Sequence, residues 1–241
     1  MKTILFDLET LPIVAYTWGP KWEANLLEVI EHTRLACFAW KVLGEKKVHI
    51  VGPELNYKQR VKALWDMADE ADILIAHNGK SFDVKVMNAF FIQEGLQPPS
   101  HYRFIDTKLE AKKYFRFPSN SLNDLGQMLG LGQKEDTGGW ALWKGCLAGD
   151  EKAWKKMLSY NKQDVVLLEQ VYLKLRPYMI NHPNIGDGCI CGSTSFHKRG
   201  FVYSANGKTR RQEYRCRECR ISKYGSTEKV IPHQTKIKSL A

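Results

Sequence analysis

The sequence predicts an α/β protein: a mixed sheet flanked by helices, followed by a small β-rich module at the C-terminus. Three observations carry this. Three apolar, β-rich stretches open the chain, and helical and strand patterns then alternate, the order expected of a sheet covered by helices. The charge is uneven: residues 1–181 hold 24 Lys and Arg against 22 Asp and Glu, whereas residues 182–241 hold 12 against 4. Four of the six cysteines lie beyond HPNIGDG (182–188), a Pro- and Gly-containing run that stops the preceding helix. The expected organisation is a nearly neutral domain over residues 1–180, a linker over 181–188, a basic cysteine module over 189–225 and a flexible tail over 226–241.

Residues 3–9 (TILFDLE) are apolar and β-rich, the pattern of a largely buried strand. Residues 35–42 and 46–51 make two further strands around a Gly-Glu-Lys turn. Val61, Leu64, Trp65 and Ala68 recur at helical spacing within 57–70. A short buried strand over 72–76 runs into the loop HNGKS, and a helix follows from about Phe82 to Glu94. A strand at 103–106 leads into a helix ending near Phe115, and helical patterns recur at 121–130, 150–158 and 160–176. The stretch 132–149 is Gly-rich without a phosphate-loop pattern, and Trp140 and Trp143 are expected to anchor it to the core.

Composition narrows the classes. A chain of 241 residues that is 44% hydrophobic and 26% charged excludes wholesale disorder, a collagen-like repeat and a coiled coil. No apolar run approaches the roughly 18 residues of a membrane span, so no membrane association is expected. The N-terminus leads into ILFDLE without the pattern of a secretory signal, which places the protein in the cytosol. A net charge of +10 is compatible with a polyanionic partner, although excess lysine also serves solubility.

Acidic residues recur where they are costly. Asp7 and Glu9 are two apart on an apolar strand and therefore project from one face. Like charges there repel and resist burial unless a cation offsets them; the plain alternative is a strand that ends near Phe6 with both acids solvated. Asp83 opens a helix, where the helix dipole already favours an acid. Tyr160 and Asp164 share a helix face at i, i+4, with Asp164 at the edge of the stripe formed by Val165, Leu168, Val171, Tyr172 and Leu175.

Taken together, these positions resemble the DEDD exonucleases, the DnaQ-like branch of the ribonuclease H-like fold. Phe6-Asp7-Leu8-Glu9-Thr10 resembles the first motif of that family, Asn78-x-x-x-Phe82-Asp83 the second, and Tyr160-x-x-x-Asp164 the third in its tyrosine (DEDDy) form. Asp106-Thr107 after a strand and SLNDLGQMLGL (121–131) as a flanking helix add to the likeness. It covers about residues 1–178 and is similar to the exonuclease domains related to family B DNA polymerases and to YprB-type domains, phage-encoded ones included.

The resemblance implies a metal-dependent 3′→5′ exonuclease acting on DNA; the carboxylates by themselves specify only phosphodiester hydrolysis. Four carboxylates without His or Cys suit two Mg²⁺ or Mn²⁺ ions rather than zinc. By resemblance Asp7 bridges both metals, Glu9 and Asp164 complete the metal that activates water, and Asp83 holds the second. Tyr160, a poor base at an unperturbed pKa of about 10, is assigned to orienting the water. Asn78 and Phe82 match positions near the substrate; Phe82 could equally be core, and His77 is expected to be a packed, hydrogen-bonded residue. Tyr16, Trp18 and Trp22 in the long 11–33 segment could stack on terminal bases or pack on the domain's own surface. An RNA 3′ exonuclease is the nearest alternative, and a non-catalytic nucleic-acid-binding or scaffold protein is the rival from another class. A polymerase or another replication or repair protein is the expected kind of protein partner, in a bacterial or phage-infected cell.

In the second unit, Cys189-x-Cys191 and Cys216-x-x-Cys219 flank a 24-residue segment, which in a reducing compartment reads as one structural Zn²⁺ site. One intervening residue in the first pair, where ribbons usually have two, leaves His182, Asp187 or His197 open as a substitute ligand. The intervening sequence reads as a hairpin turning at Asn206-Gly207, followed by more strand. It resembles the zinc ribbons of transposases and other nucleic-acid enzymes. Lys198, Arg199, Arg210 and Arg211, interleaved with aromatic residues, are the candidate substrate contacts; a solubilising surface on a protein–protein module is the alternative.

Overall fold

The computed structural model describes residues 2–19, 25–179, 182, 188, 189, 191 and 193–230. The chain divides into two units, Met1–Leu175 and Arg176–Ala241.

In the first unit β1 (Thr3–Leu11), β2 (Val14–Thr17), β3 (Leu26–Glu31), β4 (Arg34–Val42) and β5 (His49–Val51) precede α1 (Tyr57–Asp69). Then come β6 (Ile73–Ala76), α2 (Asp83–Gln93), β7 (Arg103–Asp106), α3 (Thr107–Tyr114), α4 (Leu122–Met128), α5 (Trp140–Leu147) and α6 (Glu151–Leu175). The main sheet has the order β5-β4-β1-β6-β7. β4 pairs antiparallel with both β1 and β5, while β6 is parallel to β1 and to β7, so the sheet is mixed.

Alternation along β1 sorts its side chains. Ile4, Phe6 and Leu8 join Phe38, Leu64, Met87 and Phe90 in the core beneath α1 and α2. The opposite side of the sheet is covered by a second apolar cluster that includes Leu11, Ala36, Cys37, Leu142, Cys146 and Met157, contributed by β1, β4, α5 and α6. Asp7 and Glu9 lie on this α6 side, in register with the small residues Ala39 and Cys37 of β4. Pairing of β1 with β6 stops at Leu5–Ile75, so the acidic half of β1 runs past its parallel neighbour. A crevice beyond the carboxyl end of a parallel strand is where open α/β sheets bind ligands.

Three features differ from the expectation. The helical patterns at 150–158 and 160–176 belong to one 25-residue helix, α6, because Ser159 between them is no helix breaker. The 11–33 segment contains a separate two-stranded sheet, β2 with β3, whose Tyr16 is exposed rather than packed down, as is Trp18 just beyond β2; Trp22 lies outside the described residues. The Gly-rich stretch contains α5. Trp143 anchors it, donating from Nε1 to the carbonyl of Thr10 at 3.2 Å, but Trp140 does not, being 61% exposed at the helix start.

In the second unit β8 (Phe196–Tyr203), β9 (Thr209–Cys216) and β10 (Ser222–Lys229) form an antiparallel sheet in the order β10-β9-β8. Gly207 has φ +67°, as the turn after Asn206 requires. Residues 226–229, expected in the tail, instead continue β10, since Thr227–Lys229 pair with Arg211–Thr209. Residues 231–241 and most of the 181–188 linker lie outside the described residues.

The packing of α5 on α6 is close enough to test. A Cβ at Gly145 would lie 2.6 Å from Cβ of Ala153. Gly145→Ala is expected to destabilise the protein by about 1–3 kcal/mol through forced separation of the two helices. An unchanged denaturation midpoint would show that the contact yields.

Candidate active site

The crevice beyond β6 is built from three elements. β1 supplies Asp7 and Glu9; α6 supplies Tyr160, Asn161 and Asp164; Asp83 opens α2. One ligand oxygen from each of Asp7, Glu9 and Asp164 fits within a cluster whose members are all within 4.8 Å of one another. Asp83 stands apart from that tight cluster, yet it is near enough to raise the pKa of Asp7.

Each acid is placed by its neighbours. Asn161, fully buried on α6, donates from Nδ2 to Oδ2 of Asp7 at 2.7 Å and to its carbonyl at 3.2 Å. Its Oδ1 faces the Cys37 thiol at 3.9 Å. The backbone N–H groups of Asp83 itself and of Leu8, on the stretch of β1 that has outrun β6, pull the Asp83 carboxyl down against the effect of its burial. Farther along α6, Lys41 and Glu169 form a buried ion pair, and Glu169 Oε1 also accepts from the N–H of Gly44 at 2.9 Å.

The loop before α2 is held by β7. Asp106 accepts from the N–H groups of Asn78 (2.9 Å), Lys80 (3.0 Å) and Lys108 (3.0 Å), capping α3 and the HNGKS loop with one carboxylate. His77 is the expected packed residue: Nε2 faces the carbonyl of Asn120 and Nδ1 the hydroxyl of Thr107, both at 2.9 Å. Burial holds its pKa down to about 4, so the ring is neutral. Asn78 has φ +65°, a conformation Asn tolerates, and its side chain accepts from Ser81. Phe82 is 44% exposed and is not a core residue.

The electrostatics show how unfavourable the metal-free arrangement is. Burial, then repulsion from Asp83, Glu9 and Asp164, pushes Asp7 well above the carboxylate range. Burial lifts Glu9 to about 7 against the opposing pull of Lys134, and lifts Asp83 to about 7 despite its backbone bonds. Asp164, 1% exposed, is raised by burial as well. Burial also raises the Tyr160 phenol far above neutrality, so it stays protonated.

Lys134 is the residue that the sequence does not reveal. Its Nζ lies 2.6 Å from Oδ2 of Asp164 and 2.8 Å from the Tyr160 hydroxyl, and 5.0 Å from the centre of the Tyr160 ring. Its backbone N–H is held by Oδ1 of Asn123 on α4 at 3.0 Å. Burial alone would lower its pKa, but Asp164 more than compensates and Lys134 remains charged. No spacing marks it out, since it sits in an irregular Gly-rich stretch among 36 basic residues. One ammonium cannot balance four acids, and Oδ1 of Asp164 is buried with no hydrogen-bond partner among the described residues. All-oxygen donors, crowding and an unsatisfied buried oxygen fit hard divalent cations.

A family model of the RNase_H superfamily matches residues 30–176. The chain belongs to the RNase_H superfamily. The match takes in Asp83, Tyr160 and Asp164 and begins after Asp7 and Glu9. No curated protein sequence matches the chain. The family B DNA polymerase of Pyrobaculum calidifontis aligns with a TM-score of 0.50 at 9% identity, over 85% of this chain and 31% of that one. The chain thus spans about a third of that polymerase's length. Trypanosoma brucei RNase D (TM-score 0.42, 15% identity, 76% and 59% coverage) and an E. coli ExoI–ssDNA complex (0.38, 13%, 88% and 54%) are also similar. The polymerase alignment supports the RNase H-like fold, and no more than that.

The second cluster is Cys189, Cys191, Cys216 and Cys219, whose sulfurs all lie within 4.8 Å of one another. The short Cys189-x-Cys191 pair therefore reaches the same point as the second pair. His182 and His197 are not in this group, and Asp187 lies outside the described residues. Burial would raise Cys216, but backbone N–H groups of Cys219 and Glu218 outweigh it and hold the thiol down to about 6. Sulfurs gathered in this way, one already favouring the thiolate, fit a tetrahedral zinc ion.

Glu9 tests the balance at the acidic site. Its raised folded-state pKa means that its stabilising contribution is present below the unfolded value of about 4.3 and is lost as pH rises through about 7. In metal-free protein Glu9→Gln should therefore raise the melting temperature at pH 8 and change it little at pH 4. It should also reduce the stabilisation gained from added Mg²⁺. Equal effects at both pH values would overturn the assignment of burial strain to this carboxylate.

Proposed function

We propose that the chain is a metal-dependent 3′→5′ exonuclease that hydrolyses DNA phosphodiester bonds. The observation that carries this reading is the convergence of Asp7, Glu9 and Asp164 on one point, with a buried Asp164 oxygen unsatisfied. Asp7, Glu9, Asp83 and Asp164 would hold two Mg²⁺ or Mn²⁺ ions. Bound there, hard cations neutralise phosphoryl oxygens and lower the pKa of an attacking water.

The chain's own residues prepare that chemistry. Asn161 fixes the rotamer of Asp7, and the backbone N–H of Leu8 favours the ionised form of Asp83. Tyr160, held protonated, serves as a hydrogen-bond donor that orients water or phosphate rather than as a base. Lys134 supplies positive charge beside Asp164 while the acids await their cations. Asn78 and Phe82 flank the strand end. Polarity, exonucleolytic action and the choice of DNA rest on the resemblance to the DEDDy family. The basic ribbon, closed by one Zn²⁺ on its four cysteines, assists substrate binding through residues such as Lys198, Arg199, Arg210 and Arg211. The protein would act in the cytosol of a bacterial or phage-infected cell, alone or beside a polymerase or other replication or repair protein.

End-labelled single- and double-stranded DNA and RNA, incubated with Mg²⁺, test this directly. The expected product is a DNA ladder shortening from the 3′ end, abolished by EDTA and by Asp7→Ala. Binding without degradation would sink the enzymatic reading, and preferential loss of RNA would move it to the RNA alternative. Tyr160→Phe should slow turnover while leaving metal affinity, measured by calorimetry, nearly unchanged.

Removal of residues 182–241 should weaken substrate binding and its salt dependence more than the chemical step. Loss of cleavage of a short, saturating substrate on truncation would contradict that division of labour.

A further inference from the structure

The ribbon carries aromatic side chains that no core explains. Along β8, β9 and β10 only Cys216 is buried, and Phe201, Tyr203 and Tyr224 are each more than one-third exposed. One part of this sheet surrounds a cavity of about 620 Å³ lined by residues that include Phe196, Lys198, Tyr214, Lys223, Tyr224 and Gly225. That volume lies in the range of about 300–1,000 Å³ common for small-molecule sites.

Strand register explains the lining. Lys198 of β8 is paired with Tyr214 of β9, which is paired in turn with Lys223 of β10. Cross-strand partners share a face, so a phenol ring stands between two ammonium groups. Phe196, two residues from Lys198, lies on the same face, and the Nζ of Lys223 is 5.9 Å from the centre of its ring. Gly225 keeps the space over Tyr214 open: a Cβ there would lie 3.4 Å from Cε2 of the tyrosine.

The lining selects its ligand by chemistry. A bare phosphate has no use for two rings, and an uncharged apolar ligand has none for two lysines. A base attached to phosphates uses both, stacking on the aromatic surface while its backbone meets the ammonium groups. Residues 193–230 hold ten Lys and Arg against three Asp and Glu, so the surrounding charge favours a polyanion. The base must be unpaired to expose its face. Arg210, conspicuous in the sequence, is paired with Glu228 at 2.9 Å and stacked 4.0 Å from the Phe201 ring.

We infer that this cavity is a base-binding site for single-stranded nucleic acid, with Tyr214 and Phe196 as its stacking surface and Lys198 and Lys223 as its phosphate contacts. The inference rests on the proposal that the chain handles nucleic acid, and it names where the ribbon takes hold of the strand.

The test uses the full chain carrying Asp7→Asn, loaded with zinc and without Mg²⁺, in fluorescence-anisotropy titrations of labelled oligonucleotides. Gly225→Val, which sets a branched side chain against the Tyr214 ring without changing charge, should weaken single-strand binding about tenfold, within the range expected for losing one stacked base. The protein with Gly225 intact should bind an abasic strand of equal length more weakly by a similar factor. Lys198→Gln combined with Lys223→Gln leaves the backbone and the cavity in place and should lower the salt slope by about 1.4, two contacts at about 0.7 each for a single strand. Parent-like affinity in Gly225→Val, an unchanged salt slope in the lysine pair, equal affinity for the abasic strand, or tighter binding of duplex would each overturn the site. The titration contains no catalytic step, so absence of cleavage by the unmutated protein would count against the exonuclease reading alone.

Discussion

Charge compensation at the α6 side of β1 is the constraint on which the first unit turns. Four acids occupy a region that burial makes hostile to anions, and the surrounding elements are arranged to tolerate them. Asn161 donates to Asp7, the backbone N–H of Leu8 favours the ionised form of Asp83 and Lys134 approaches Asp164. These contacts orient the acids without neutralising them, as the raised pKa values of Asp7, Glu9 and Asp83 show. A site satisfied entirely by protein donors would have no remaining demand for a cation. This one keeps such a demand, which is the property expected of a metal-dependent hydrolase.

The two units solve opposite electrostatic problems. The first concentrates acids in a crevice and is close to neutral as a whole; the second holds most of the excess positive charge on a small sheet closed by cysteines. The ribbon buries too little apolar surface along its strands to hold itself together by packing, so a structural metal has an energetic role there. Aromatic side chains that would fill a core in a larger domain are left on its surface.

Sequence reasoning reached the parts of this molecule that depend on local periodicity. Asp7 and Glu9 share a face because a strand has a period of two, and Tyr160 and Asp164 share one because a helix turns every 3.6 residues. The mixed sheet and the main elements followed in the same way, with small shifts at their ends. What depended on tertiary contact stayed hidden. Asp164 looks like the edge of an amphipathic stripe until β1 and Lys134 are set against it. Lys134 itself belongs to an irregular stretch whose path is fixed by Asn123, on a different element. The β2–β3 sheet escaped notice because its apolar residues face outward, so burial imposed no alternating pattern.

The continuity of α6 carries a mechanical consequence. Its first turns lie against α5 without room for a single extra methyl group, and its later turns are tied to β4 and the following loop through Glu169. Tyr160, Asn161 and Asp164 sit between these two attachments, on the middle of a clamped beam. Such a beam resists bending, so it serves as the fixed jaw of the crevice. Accommodation of ligands of different shape would then fall to a part not clamped in this way, the irregular segment that delivers Lys134.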